Sequence, residues 1–122
     1  MSRKVEDLTH DMQEKFHAFK LGMREAGIDF ILTCTRRTQE EQNDLYEQGR
    51  SKPGPVVTWT RKSKHIEGKA FDIVIMKNGK PDWNVTDPDW TRAGEIGRRA
   101  GLNWGGSWAK SKDFPHFELK EA

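Results

Sequence analysis

Ser63-Lys64-His65-Ile66-Glu67-Gly68-Lys69-Ala70-Phe71-Asp72-Ile73-Val74-Ile75-Met76 is the stretch on which the fold turns. His65 and Asp72 are seven residues apart, too far for one helical turn, so they converge only if the chain folds back between them. Gly68 permits that bend. The run from Ala70 to Met76 is β-branched, apolar and of strand length, and it would hold Asp72 on rigid backbone with Phe71, Ile73 and Ile75 turned away from it. Further on, Asp113-Phe114-Pro115-His116-Phe117-Glu118-Leu119 reads as a turn feeding a second short strand. Alternation puts His116 and Glu118 on one face and Phe117 and Leu119 on the other. His116 is thereby expected on a strand beside the one that carries Asp72.

Two imidazoles and a carboxylate meet the needs of a catalytic zinc, which takes three protein ligands and keeps a fourth position for water. His65, Asp72 and His116 would be those ligands, one zinc per chain. Asp113 is left over as a proton carrier, since a carboxylate beside an activated water can take its proton and hand it to a leaving amine. Each of the four taken alone is better read as an ordinary loop histidine or turn aspartate; their coincidence carries the metallopeptidase reading. A His-Glu-x-x-His helix is absent, which excludes only the class of zinc peptidase built on it.

These residues match a known pattern. Ser-x-His-x-x-Gly-x-Ala-x-Asp from Ser63 to Asp72, followed by Asp-x-Pro-His-Phe-Glu from Asp113 to Glu118, resembles the family of zinc D-alanyl-D-alanine carboxypeptidases and L-alanyl-D-glutamate endopeptidases. Phage endolysins belong to it, and the same fold group holds the vancomycin-resistance dipeptidases and the hedgehog N-terminal domain. The likeness extends upstream to Thr35-Arg36-Arg37-Thr38-Gln39-Glu40-Glu41-Gln42, similar to the family's Arg-(Ser/Thr)-x-x-x-Gln segment, and downstream to Leu102–Trp108. The resemblance implies that His65, Asp72 and His116 bind zinc, that Asp113 is the general base and that Arg37 contacts the scissile carbonyl, where a fixed positive donor stabilises developing charge. Arg36 is the rival for that last role; Arg37 is preferred because it directly precedes Thr38. Ser63, Gln42 and Trp108 complete the set as substrate contacts, although a serine two residues before a ligand also suits a turn cap, and Trp108 also suits support of the His116 strand. A base that is Asp rather than Glu leans towards the endopeptidase branch.

The function so implied is hydrolysis of peptidoglycan stem peptides, at the L-alanyl-D-glutamate bond, by a phage or prophage lysis enzyme. Two rivals stand beside it: D-alanyl-D-alanine carboxypeptidase action, and a non-catalytic zinc-bearing wall-binding module. The presence of both Asp113 and Arg37 argues against the module. An apolar leader is not visible after Met1, so the expectation is a monomeric protein without stable membrane insertion, made in the host cytoplasm and reaching the wall through openings made by a holin-type partner.

Composition bounds the rest. At 122 residues the expectation is a single catalytic domain over residues 1–122 with no separate wall-binding module. Charged residues make up 33%, yet five Trp, six Phe and clear helical periodicity argue for a packed fold rather than disorder. The single cysteine, Cys34, lies in an apolar strand-like segment and reads as a buried thiol rather than a nucleophile. A net charge of +2 does not mark a nucleic-acid binder. Arg50, Lys52, Arg61, Lys62 and Lys64 nevertheless crowd the loop before His65, either as a solvated loop or as a lip for anionic stems, and Trp59 in that loop could stack on substrate or on the body.

Along the chain, Val5, Leu8, Met12, Phe16, Phe19 and Met23 predict one amphipathic helix over 3–26, ended by Gly27. A strand at 28–35 would deliver Arg37. Thr38 and Glu41 form a capping box opening a helix through Gln48, with Leu45 and Tyr46 on its buried side. Asn78-Gly79 reads as a tight turn, and Lys80 to Thr86 as irregular. Asp87-Pro88 opens a third helix whose inner face is Ala93, Ile96, Gly97 and Ala100. Leu102–Trp104 is a short strand. The sum is an α+β domain with a small, mainly antiparallel sheet carrying the zinc site, flanked by about three helices.

Overall fold

Strand β2 (Ala70–Lys77) is the spine of the computed structural model, which describes residues 1–121. β1 (Asp29–Cys34) lies antiparallel along one edge of it. The other edge is shared by β3 (Lys80–Asp82) at its far end and β5 (His116–Leu119) at its near end, both antiparallel, and β4 (Leu102–Trp104) pairs outside β5. The path is β1-β2-β5-β4 with β3 beside it. Helices α1 (His10–Glu25), α2 (Gln39–Glu47) and α3 (Pro88–Arg99) complete the expected α+β architecture.

α1 packs Met12, Phe16, Phe19 and Met23, at steps of four, three and four, into the core. There they meet the inner face of the sheet, where the cross-strand partners Phe71 and Phe117 stack with ring centroids 5.4 Å apart. Burying each ring stabilises the fold by roughly 1.5–3 kcal/mol. The single helix expected over 3–26 is in fact two pieces. Val5–Asp7 is a 3₁₀ turn, Leu8 is extended, and α1 begins only after Thr9, whose hydroxyl accepts from the Met12 N–H. The break has a tertiary cause: the Thr9 N–H donates to the carbonyl of Gly68, tying this joint to the loop behind His65.

α2 has the predicted capping box between Thr38 and Glu41, but its buried side differs. Gln42 is its fully buried residue, while Leu45 and Tyr46 are only half covered. Lys80–Asp82, read as irregular, forms β3 because Asn78 and Gly79, both at positive φ, make the two-residue turn that returns the chain along β2. Asp87 caps α3 through the Asp89 N–H. The deepest residues of α3 are Trp90, Ala93, Gly94 and Gly97, with Ile96 and Ala100 at the margin. A Cβ on Gly94 would lie 2.2 Å from the Trp104 ring and one on Gly97 2.5 Å from Phe117. Two glycines thus let α3 seat directly on β4 and β5, and that contact sets the position of His116. Among the described residues no helix is long and apolar enough to cross a membrane.

Candidate functional site

Strand register assembles the site. Asp72 is paired with Cys34 on one side and His116 on the other. His65 arrives from the loop, which is held to the end of β1 by the Arg37 N–H donating to the His65 carbonyl. Both imidazoles then meet one oxygen: His65 Nε2 and His116 Nδ1 each lie 3.1 Å from Asp72 Oδ1. The opposite ring nitrogens are also engaged, His65 Nδ1 at 2.7 Å from the Thr35 carbonyl and His116 Nε2 at 2.9 Å from Glu118 Oε1. A carbonyl and a carboxylate can only accept, so these two nitrogens carry protons. The lone pairs available to a metal are therefore those aimed at Asp72. Outer nitrogens anchored in this way are what a metal-binding histidine requires.

The electrostatics agree with a site that expects a cation. His65 is 1% exposed and His116 6%. Burial alone would push both imidazoles down, yet the Asp72 carboxylate, with help from Cys34 and Glu118, holds His65 up at about 10 and His116 up at about 9. Asp72 is pulled far below the usual carboxylate range: hydrogen bonds and charge from the two histidines outweigh its burial. Metal-free, the centre stores positive charge as imidazolium protons. A divalent ion would replace those protons on the same lone pairs.

Cys34, His65 and Asp72 each offer one ligand atom within 4.8 Å of the others, so this trio could hold a metal ion. Cys34 approaches His65 at Nδ1, 3.7 Å away, on the side already taken by the Thr35 carbonyl. Its thiol lies behind the imidazole, whereas His116 lies in front with Asp72. The apolar strand around Cys34 marks it only as a buried thiol; its proximity to His65 depends on a pairing 31 residues long that no local pattern reveals.

A cleft of about 780 Å³ opens over this centre and is lined by Arg37, Ser63, Asp113 and Trp108 along with the two histidines and Asp72. Burial, and then the charge of Asp72, push the Asp113 carboxyl up. Arg37 is fixed on three sides: Nε meets the Met1 thioether at 3.1 Å, Nη1 donates to Gln42 at 3.0 Å and Nη2 to Asp72 Oδ2 at 3.2 Å. Arg36 is exposed and does not line the cleft. Ser63 both lines the cleft and caps its own turn, accepting from the His65 N–H. The Trp108 ring is tilted 5.3 Å from the His116 ring.

Gln42 is not brought to the cleft wall. Its amide is engaged by Arg37, by the Thr60 carbonyl at 2.7 Å and by the Thr58 hydroxyl, which ties the loop to Arg37. The basic loop is likewise partly self-occupied. Arg50 and Arg61 stack over Tyr46 at 3.9 and 4.6 Å, and Lys64 pairs with Glu121.

Comparison with known proteins agrees with the geometry. The profile of a family described as D-alanyl-D-alanine carboxypeptidase matches residues 57–119, which contain His65, Asp72, Asp113 and His116. The peptidoglycan L-alanyl-D-glutamate endopeptidase CwlK of Bacillus subtilis is 35% identical over 123 residues, covering 93% of this chain and 74% of that protein. The L-alanyl-D-glutamate peptidase of Escherichia phage T5 is 42% identical over 66 residues, 48% of this chain and 46% of that protein. The crystal structure of the L-Ala D-Glu endopeptidase ChiX of Serratia marcescens superposes with a TM-score of 0.76 at 24% identity, covering 95% of this chain and 83% of that one, a likeness of fold.

Proposed function

Because the chain belongs to the D-alanyl-D-alanine carboxypeptidase family of peptidases, we propose that it is a zinc-dependent endopeptidase acting on the L-alanyl-D-glutamate bond of peptidoglycan stem peptides. The observation that carries this reading is the convergence of His65 Nε2 and His116 Nδ1 on one oxygen of Asp72, in a cleft that also holds Asp113 and Arg37. His65, Asp72 and His116 would hold the ion, with Cys34 behind His65. When bound, zinc supplies Lewis-acid polarisation of the carbonyl and a more acidic water.

The chain's own groups do the rest. Asp113, whose carboxyl is pushed up by burial and by the charge of Asp72, accepts the proton of the attacking water and delivers it to the departing amine, and the upward shift makes it a better proton acceptor than an ordinary carboxylate. Arg37, held by Gln42, Met1 and Asp72, has a second Nη2 hydrogen beyond the one given to Asp72, and that donor would meet the carbonyl oxygen as negative charge grows on it. Glu118 keeps the His116 ring oriented by accepting from Nε2, and the Thr35 carbonyl does the same for His65.

The names of the relatives that align over most or half of this chain favour the endopeptidase over the carboxypeptidase reading; the lysis role, with a holin-type partner giving access to the wall, is proposed beside it because one relative is encoded by a phage. Mass analysis of muropeptides after digestion separates the alternatives. Stem fragments with a new D-glutamyl N-terminus are the expected product. Loss of terminal D-alanine alone would shift the assignment to a carboxypeptidase, and binding to sacculi without any cleavage would shift it to a wall-binding module.

A further inference from the structure

Two large aromatic side chains in the cleft have no task in this chemistry. Trp83 is 57% exposed and Trp59 69%, although both line the same cleft as His65 and Asp113. Val56 and Val57 beside them are exposed as well and line it too. Exposed apolar surface gathered at one place marks a binding surface, and indoles are the residues best suited to it, with an apolar face and a polar edge. The two arrive from separate segments, Trp83 just after β3 and Trp59 from the loop before His65.

Trp83 is the better braced. It stacks on the buried Trp90 with centroids 6.3 Å apart and planes 18° from parallel, and Trp90 is itself pinned by its indole N–H donating to the Asp82 carbonyl. A flat ring supported from behind binds with little further ordering cost. Its position follows from the register. β5 and β3 lie on the same edge of β2, with Asp72 opposite His116 and Ile75 opposite Asp82. Trp83 therefore begins level with Val74, two residues along the strand from Asp72, or roughly 7 Å.

That spacing has a chemical counterpart, which rests on the bond assignment made above. One alanine separates an L-alanyl-D-glutamate bond from the lactyl group of the amino sugar, and a residue of extended chain spans at most about 3.6 Å. A sugar joined to a bound stem therefore falls within reach of the cleft lining beside the reacting atoms. A pyranose presents an apolar face of ring C–H groups that packs on an indole while its hydroxyls stay in water. We propose that Trp83, assisted by Trp59, is a saccharide subsite that holds the N-acetylated amino sugar carrying the stem peptide, and so makes glycan-linked stems the preferred substrate.

The test compares the zinc-loaded wild type with Trp83→Ala, Trp83→Phe and Trp59→Ala on a disaccharide-linked stem peptide and on the same peptide without sugar. The wild type should favour the glycan-linked substrate by about tenfold, chiefly in KM, the equivalent of one good aromatic contact. Trp83→Ala should erase that preference, Trp83→Phe should keep part of it, and Trp59→Ala should reduce it less. An equal loss on both substrates, or a wild type indifferent to the sugar, overturns the subsite. Calorimetric titration with the free disaccharide N-acetylglucosaminyl-N-acetylmuramic acid decides the matter without turnover. Saturable binding by the wild type that weakens in Trp83→Ala upholds the subsite even if neither peptide is cleaved, an outcome that would sink only the reaction assigned above. Absence of saturable binding overturns the subsite.

Discussion

The centre of the sheet and the loop at 50–64 hold their side chains in opposite ways. At the centre, Cys34, Asp72 and His116 stand on three adjacent strands, and ladder hydrogen bonds set their spacing before any side chain interacts. In the loop, Arg50, Lys52 and Arg61 are held by a few isolated turn hydrogen bonds and by side-chain contacts, stacks on Tyr46 and ion pairs with Glu47 and Asp44, with no continuous strand ladder among them. The first arrangement is rigid and buried, the second exposed and screened by solvent. Chemistry that needs tight positioning belongs on the first, and adaptable contact with a large substrate on the second. Gln42 is where they meet, bonded to Arg37 of the site and to Thr58 and Thr60 of the loop.

The sharpest break should come from the centre. His65→Ala, Asp72→Ala and His116→Ala are each expected to abolish both zinc binding and wall hydrolysis, because two remaining donors do not hold an ion in an open site. Metal analysis of the purified variants checks this, and full occupancy in any one removes that residue from the ligand set. Asp113→Asn comes next. It should keep its zinc and lose ~10²–10⁴ in turnover, since an amide cannot accept the water's proton; activity within a few-fold of wild type would pass the role to Glu118 or Glu67.

Arg37→Ala should cost about 10²-fold in kcat while leaving zinc content unchanged, with partial rescue in Arg37→Lys, which keeps the charge but not the planar fork. Arg36→Ala, on the exposed neighbour, should do little, and the reverse result would show the roles exchanged. A gentler probe is the pH dependence of the metal-free protein. His65 and His116 have folded pKa values of about 10 and about 9, above the ordinary 6.5. The native state therefore binds more protons than the unfolded one at intermediate pH, and stability present below 6.5 is lost as pH climbs towards 9 and 10. Denaturant midpoints of the metal-free protein should fall across that window and those of the zinc-loaded protein should fall less. A flat metal-free profile would mean that the imidazoles are not held protonated by Asp72. The smallest effect is expected at the other pole: Arg61→Ala removes an exposed ion pair with Glu47 and should change stability by about 0.5 kcal/mol or less. A larger loss, read from the same denaturation curves, would mean that the loop is as tightly organised as the sheet.

Much of this was legible in residues whose signals are local. The caps at Thr38 and Asp87, the Asn78-Gly79 turn and the alternation of His116, Phe117, Glu118 and Leu119 each depend on neighbours a few positions away, so chain order was enough to place α2, α3, β2 and β5. His65, Asp72, Asp113 and His116 stood out for the same reason, as unusual residue types at the ends of recognisable elements. The departures share the opposite character. α1 starts at His10 because Thr9 bonds to Gly68, and β3 exists because an edge of β2 was free to receive it.

Propensity, capping and donor type are properties of residues and their near neighbours, so they place α2, α3, β2 and β5 and mark the side chains with the chemistry to bind a metal, but they reveal neither the break before α1 nor β3. How those groups are used is settled by the fold. That Cys34 sits behind His65, that Gln42 braces Arg37 instead of lining the cleft, and that Trp83 lies along the sheet edge from His116 all follow from strand register and loop closure between residues far apart in the chain. Such contacts are fixed by the joint packing of many residues, and no short pattern encodes them.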